Sequence, residues 1–192
     1  MSRRKLLAPA VAAALVAGLA LAGCPLPQPL AEVSRVDGGT ITPPRVLSES
    51  AQPADTTILV SRTCPATPTY TVNASLVDEN VLEPVEARWF LDYRDSPGGY
   101  SMLRVETIPP PDQSAPSQTV RALPPLQLQL PAYDPGQPTH VLELVVSNGF
   151  YPSDAVLPPG VPPNRSAQPG YEAQVFRWVF SYVDSGGGCS YP

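Results

Sequence analysis

Residues 174–183 read Gln-Val-Phe-Arg-Trp-Val-Phe-Ser-Tyr-Val, and this stretch decides the fold class of the chain. Aromatic residues occupy every second position from Phe176 to Tyr182, and valines occupy most of the positions between them. A repeat of two is the side-chain period of a β-strand. Because large apolar side chains fall on both faces, we expect this strand to lie in the middle of a sheet.

Shorter stretches with the same alternation raise the expected total to about seven or eight strands. They fall around Val46 and at 57–61, 69–78, 87–93, 103–108, 126–130 and 140–148. In 87–93 the alternation puts Trp89, Leu91 and Tyr93 on one face. No stretch after residue 23 sustains a helical period, and the 27 prolines of the chain disfavour helix interiors. The sequence therefore predicts an all-β domain, with a single antiparallel two-sheet sandwich favoured over a barrel.

The first residues combine a basic start with a short apolar run. Arg3, Arg4 and Lys5 precede the apolar residues 6–21, and the run closes with Leu21-Ala22-Gly23-Cys24. This order is typical of a secretory signal peptide. A membrane-spanning helix is the alternative, but the run is shorter than the ~20 residues that a bilayer core requires, and it contains Pro9.

Leu21-Ala22-Gly23-Cys24 resembles the lipobox of bacterial lipoproteins. The resemblance implies cleavage before Cys24 and multiple acylation of that residue, which anchors a protein stably where a single chain does not. In Gram-negative lipoproteins Asp after the cysteine favours the inner membrane, so Pro25 indicates the outer membrane. The predicted organisation is a signal peptide at 1–23, a lipidated Pro-rich tether at 24–44 and a β domain at 45–192.

Charge limits the partners of the mature chain. Cleavage after residue 23 leaves 169 of the 192 residues, which suits one domain and a linker. It removes three of the 12 basic residues and none of the 17 acidic ones, so the formal net charge becomes −8. An acidic chain without a basic cluster lacks the electrostatic footprint of a nucleic-acid-binding protein. Membrane contact is expected only through the acyl chains on Cys24.

Two cysteines remain after Cys24, and an even pair outside the cytosol predicts a disulfide. A bond between Cys64 and Cys189 would close a loop of 125 residues and encircle nearly the whole domain. A zinc site and a cysteine nucleophile are the alternatives. Both lack support, because there is no CxxC pair and His140 is the only histidine.

Two stretches resemble immunoglobulin-like domains. Ala87-Arg88-Trp89-Phe90-Leu91-Asp92 is similar to their third strand, where a core tryptophan is typical, and 139–149 is similar to the penultimate strand of bacterial Ig-like and PKD-type modules. The resemblance implies an Ig-like sandwich. The predicted disulfide departs from that family, since it would join the ends of the sandwich rather than its centre.

Motifs for catalysis are absent from the sequence: there is no nucleophile elbow, zinc-protease, EF-hand or P-loop pattern. We therefore expect no catalytic residue, metal or cofactor, and we expect His140 at the surface or a sheet edge rather than as a general base. Asp92, Asp95 and the acidic residues within 78–86 are the remaining candidates. They suit a polysaccharide hydrolase or lyase or a calcium site, and the alternative is that they are turn and rim residues.

The connection at 148–170 is the candidate binding loop. Its 23 residues exceed the length of ordinary connections, and its prolines stiffen it. The candidate contact residues in and beside it are Phe150, Tyr151, Asn164, Arg165 and Tyr171. We expect it to project from one end of the sandwich and to recognise an envelope protein or a glycan.

These observations favour a lipid-anchored, disulfide-closed envelope protein that binds or scaffolds a partner and is not an enzyme. The secreted hydrolase or lyase is one alternative. A structural subunit of an envelope assembly is the other, and an exposed apolar edge strand would be its sign.

Overall fold

The structure is a computed structural model that describes residues 42–64, 67–94, 101–111, 119–153 and 155–191. The chain divides into two units, Met1–Thr40 and Ile41–Pro192, and every described residue belongs to the second. Cys24, the predicted signal peptide and most of the predicted tether lie outside the described residues.

Regular structure in the described residues consists of β-strands and one short 3-10 turn at Ser48–Ser50. The strands are β1 Arg45–Val46, β2 Thr57–Ser61, β3 Thr69–Val72, β4 Ser75–Val77, β5 Val85–Leu91, β6 Ser101–Ile108, β7 Val120–Ala122, β8 Leu126–Gln129, β9 Thr139–Ser147, β10 Gln174–Val183 and β11 Ser190–Tyr191. The prediction of an all-β domain is confirmed. Alternation predicts neither β7 nor β11, because two or three residues are too few to display a period.

A five-stranded sheet with the order β2-β10-β9-β5-β6 forms the centre of the domain. β10 lies between β2 and β9, as its two apolar faces predict. β9, β5 and β6 follow as antiparallel neighbours, with a bulge in the β5–β6 pairing between Trp89 and Phe90. β2 and β10 are parallel, and so are β3 and β11, so the antiparallel prediction is wrong for these two pairs. Most of the domain connects the two strands of each pair, and so long a connection does not impose the antiparallel geometry of a hairpin.

The structure also has two three-stranded sheets, β1-β4-β7 and β11-β3-β8. A single stretch of chain supplies β3 to one of these sheets and β4 to the other. Only Asn73 and Ala74 separate β3 from β4. Asn73 exchanges backbone hydrogen bonds of 2.9 and 2.8 Å with Gln52, which takes it out of the ladder. The single strand predicted at 69–78 is therefore broken, and the described residues form three sheets rather than two.

One hydrophobic core joins strands of all three sheets. Trp89 of β5 stacks on Trp178 of β10 with ring centroids 5.9 Å apart. Trp178 Nε1 also donates a hydrogen bond of 3.0 Å to the Pro53 carbonyl, so the buried ring keeps a polar partner. Tyr70 of β3 packs against Phe180 at 5.1 Å, which ties a three-stranded sheet to the central one.

Asp92 turns the chain at the end of β5. Its backbone is left-handed (φ +52°), a conformation that a short polar residue tolerates better than most. The carboxylate accepts the Val141 N–H at 2.8 Å. Tyr93 consequently leaves the face of Trp89 and packs edge-on against Phe90 at 5.2 Å. The prediction that Trp89, Leu91 and Tyr93 share one face is therefore wrong for Tyr93.

Cys64 and Cys189 form the predicted disulfide, with Cα atoms 5.6 Å apart. The segment around Cys189 is also hydrogen-bonded to β2, because Gly188 accepts from Ser61 N and donates to the Leu59 carbonyl, both at 3.0 Å. A Cβ at Gly187 would lie 2.4 Å from Ser61 N, so this close backbone approach requires glycine. The disulfide and these bonds fasten the segment beside β2.

Candidate functional site

The outer face of the central sheet, which points away from the main core, is covered by residues 149–173, called the arm below. Phe150 of the arm is buried against Phe90 of β5 and Val145 of β9, and Ala173 and Val175 pack on the same cluster. The long loop thus lies on the sheet at its base. Apolar side chains on both faces of β5 and β9 are the sequence signal for such a cover.

Arg88 anchors the arm from β5. The side chain is buried, and its two terminal nitrogens donate to the Asn164 carbonyl at 2.8 Å and to the Tyr151 carbonyl at 3.1 Å. Its Nε contacts Glu86 at 2.5 Å, and the guanidinium lies 4.2 Å from the centroid of the Phe150 ring. One arginine therefore joins the start of the arm to its second half, through hydrogen bonds that are strong because the donor is charged.

Glu143 of β9 provides a second anchor. This buried carboxylate pairs with Arg177 of β10 at 2.6 Å and with Arg165 of the arm at 3.3 Å. Arg165 also lies over the ring of Tyr93, 4.9 Å from its centroid. The Tyr93 hydroxyl donates to the Pro163 carbonyl at 3.0 Å. Charge and aromatic contacts thus hold the second half of the arm.

The arm closes on itself at its base. Tyr151 N donates to the Ser166 carbonyl at 3.2 Å, and Gln168 N donates to the Gly149 carbonyl at 2.8 Å. A Cβ at Gly149 would lie 2.5 Å from the Tyr171 ring, so glycine allows that ring to pack on the backbone. The base is a fixed structure rather than a free loop.

Beyond the base, residues 152–161 form the tip of the arm; Asp154 lies outside the described residues. Two turns shape the tip, closed by hydrogen bonds from Ala155 N to the Pro152 carbonyl and from Val161 N to the Pro158 carbonyl. Val156 is 98% exposed. A fully exposed aliphatic side chain between two hydrogen-bonded turns is suited to contact with another molecule.

The five residues that the sequence suggests for binding all belong to the base of the arm. Phe150 is buried, and the carbonyls of Tyr151 and Asn164 accept hydrogen bonds from Arg88. Arg165 pairs with Glu143, and Tyr171 packs on Gly149. They position the tip, whereas the most exposed apolar side chain is Val156 among the described residues. Binding by this loop stays a prediction.

His140 is buried in the structure, so its expected surface position is wrong. Its Nδ1 contacts the Asp92 carboxylate at 2.6 Å, and Gln137 Nε2 donates to the same oxygen at 2.8 Å. The ring also packs edge-on against Tyr182. Asp92 thereby joins the end of β5 to the start of β9, a contact between distant residues that no local pattern reveals.

Asp78 is also buried, so the alternative that the acidic residues at 78–86 are turn and rim residues is wrong for Asp78, whereas Glu79 is exposed. It pairs with buried Arg121 of β7 at 2.7 Å. Arg121 donates further to the carbonyls of Glu83 (2.8 Å) and Asn80 (3.0 Å). Asp78 and Asp92 thus serve separate structural contacts, and Asp95 lies outside the described residues.

A pocket of about 170 Å³ opens beside the disulfide, lined by Ser61, Arg62, Cys64, Thr67, Pro68, Ala132, Tyr133 and Tyr182. The Arg62 guanidinium lies 4.7 Å from the centroid of the Tyr133 ring. Burial raises the pKa of Tyr182, and burial together with the charge of Tyr182 raises the pKa of Tyr70. The lining includes no carboxylate from the described part of the chain.

No described helix has the length and apolar character needed to cross a membrane. Within the same residues, no three His, Cys, Asp or Glu side chains gather as a metal site. No protein-family model matches the chain, and comparison with curated proteins gives no match.

Proposed function

We propose that this chain is a lipid-anchored protein of the bacterial cell envelope, held in the outer membrane through Cys24, whose β domain binds or scaffolds a partner without catalysis. The arm is the observation that carries the proposal. Arg88 and Glu143 fix its base to the sheet while Val156 stands fully exposed at its tip. Ordering the base in advance lowers the entropy lost on binding.

The proposed fold class is an Ig-like sandwich, in which the central sheet is one layer and the two small sheets together are the other. The stacked pair Trp89 and Trp178 at the core supports this proposal, as does the single core shared by all three sheets. The parallel pairs β2–β10 and β3–β11 are departures from the antiparallel pattern.

The contacts of Asp78 and Asp92 favour a binding function over the hydrolase alternative. A glycosidase needs two carboxylates facing one cleft. Asp78 is instead neutralised by Arg121, and Asp92 is engaged by His140 and by Val141 N. Release of sugar from envelope polysaccharide by the purified protein, lost in Asp92→Asn, would reverse this preference.

The anchor is tested by labelling cells that express the full chain with an alkyne fatty acid. The unmodified chain should carry the label and sediment with membranes, and Cys24→Ala should lose both properties. Cys64→Ser is the matched control, since it removes a different cysteine and should keep the label. Labelling of Cys24→Ala equal to that of the unmodified chain would contradict the anchor.

Partner binding is tested by placing a photo-crosslinking amino acid at Val156 in the full chain and irradiating intact cells. We expect a discrete adduct with an envelope protein. Leu82 is the control position, because it is 78% exposed but lies in the turn between β4 and β5. Equal adducts from both positions, or none from Val156, would contradict recognition by the tip.

A further inference from the structure

β6 is an edge strand of the central sheet, beyond β5. No described strand pairs with its outer side, which leaves a row of backbone donors and acceptors available. The opposite edge differs, because Gly188 hydrogen-bonds to β2 at Leu59 and Ser61. The sheet therefore has one edge covered by its own chain and one edge open to a new strand.

The open strand also exposes apolar side chains. Met102 and Leu103 are partly exposed and Val105 is 45% exposed. The charged residues of β6 are Arg104 and Glu106, which contact each other, and Arg104 donates to the Pro125 carbonyl at 2.8 Å. Native edges are usually guarded by short length, proline, bulges or charged side chains. β6 has a bulge opposite Trp89 and Phe90, and the charges of Arg104 and Glu106 are paired with each other. An eight-residue strand with an apolar row is suited to β-augmentation.

We propose that a second copy of this chain occupies this edge, with the two β6 strands antiparallel about a two-fold axis that passes midway between the Val105 residues of the two copies. Two identical edges pair in this way when the axis is perpendicular to the sheet, and the same face of the central sheet then points to the same side in both copies. Residues opposite each other must point to the same face, so the axis lies between a residue and its own copy and not level with the bond between two successive residues.

Charge favours Val105 as that residue, because an axis at Leu103 or at Thr107 would set Arg104 and Glu106 opposite uncharged residues. An axis at Val105 sets Arg104 opposite Glu106 of the other copy, and the reverse pair follows by symmetry. An axis at Arg104 or at Glu106 would place a charge opposite an identical charge, which is destabilising. Val105 itself would lie against its symmetry mate, and Leu103 against Thr107, so the exposed row would be covered. The central sheets of the two copies would become one continuous sheet.

The interface is small. It uses about seven residues on each side, against the roughly 20–30 of a standard protein interface. The dimer is therefore expected to dissociate readily on dilution, and a covalent trap is the appropriate measurement.

The test replaces Val105 by cysteine in the full chain and applies a mild oxidant to cells and to detergent extracts. Residues directly opposite in an antiparallel pair have Cα atoms about 4.5–5.5 Å apart, which a disulfide can bridge. We expect a dimer of Val105→Cys that reductant dissolves. Leu59→Cys is the matched control: it is an equally exposed (47%) apolar residue on the other edge strand, and it should stay monomeric.

A charge exchange then tests the register within the Val105→Cys background. Arg104→Glu should lower the dimer yield roughly threefold or more, since it replaces two attractive cross-strand pairs by repulsive ones. Arg104→Glu with Glu106→Arg should restore it. Circular dichroism confirms that each variant is folded. Equal yields from Val105→Cys and Leu59→Cys, a failure of the double exchange to restore the dimer, or an adduct of Val105→Cys with a different protein would each overturn the proposal. Leu59→Cys carries the same Cys24 and Val156 as Val105→Cys, so the difference between these two variants does not depend on the anchor or on the tip.

Discussion

Charged side chains inside this domain meet oppositely charged partners, and Asp78 with Arg121 is the clearest case. Both side chains are buried and 2.7 Å apart. Asp78→Asn would leave the guanidinium without a carboxylate in the interior, and breaking a buried pair on one side costs about 3–5 kcal/mol. We expect a loss of that size in the free energy of unfolding, measured by urea denaturation near pH 7.

Asp184→Asn is the matched comparison, because it breaks the ion pair of Arg62 at the surface, where Asp184 is 83% exposed. An exposed pair contributes about 0–1 kcal/mol. Similar losses in the two variants would contradict the view that burial makes the Asp78 pair important.

Tyr70 and Tyr182 should make the domain sensitive to alkali. Burial raises the pKa of both phenols, so the folded state holds their protons more tightly than the unfolded state. This contribution is fully present below pH ~10, the pKa of an exposed tyrosine. Above that pH the unfolded chain loses its protons first, and stability falls as the pH rises through the folded pKa values.

Urea denaturation at a series of pH values from neutrality to alkali measures this effect. The variant Tyr70→Phe/Tyr182→Phe should be less stable at pH 8, since both hydroxyls donate to carbonyls, but its stability should decline less steeply above pH 10. Parallel declines in the two proteins would assign the alkaline loss to other groups.

The sequence predicts the cysteine pair but none of the buried charges. The predicted acylation of Cys24 leaves two cysteines with one way to pair, so counting is enough. Arg121 and Arg62 look alike in sequence, since each follows a valine-containing segment. The difference between them is whether a distant carboxylate meets the side chain inside the fold, which only the tertiary structure decides.

At the scale of elements, the arm depends on Arg88. Replacing it by methionine keeps an unbranched apolar side chain and removes the donors to the Asn164 and Tyr151 carbonyls. Hydrogen bonds from charged groups contribute about 1.5–3 kcal/mol each. We expect at least tenfold faster amide exchange at Tyr151 and Gln168, with the exchange of β9 and β10 little changed.

Arg177→Met is the control for this experiment. It removes an arginine from the same outer face, but Glu143 keeps Arg165 as a partner. An equal increase in amide exchange in both variants would show that loss of either arginine loosens the arm. The hydrogen bonds of Arg88 would then not be specifically required.

The longer strands could be predicted from alternation, and the arm could not. The bounds of β10 match the prediction because its alternation is clear and ends at a polar loop, and those of β2 match although its three successive apolar residues give only a weak period. The arm has no period, so its length, prolines and aromatic residues predict contact with a partner but not its packing on the sheet. Phe90, Val145 and Val175 on the outer face need a cover, and Phe150 supplies it.

At the scale of the whole molecule, the disulfide restrains nearly all of the domain. Its loop of 125 residues corresponds to a stabilisation of roughly 5 kcal/mol when the unfolded chain is treated as a random coil. Cys64→Ser/Cys189→Ser should lose stability on this scale, measured by urea denaturation. Reductant should lower the midpoint of the unmodified protein and leave the double variant unchanged. Insensitivity of the unmodified protein to reductant would contradict this role.

Two strand pairs join early residues to late ones, since β2 pairs with β10 and β3 pairs with β11. A polypeptide is synthesised from its N-terminus, so β2 and β3 exist well before their neighbours. Until β10 follows, Trp89 and Leu142 lack Trp178 as a cover. The domain therefore gains its fold in one late step, and a product that stops short of β10 is expected to be cleared by proteases rather than to persist as a smaller domain.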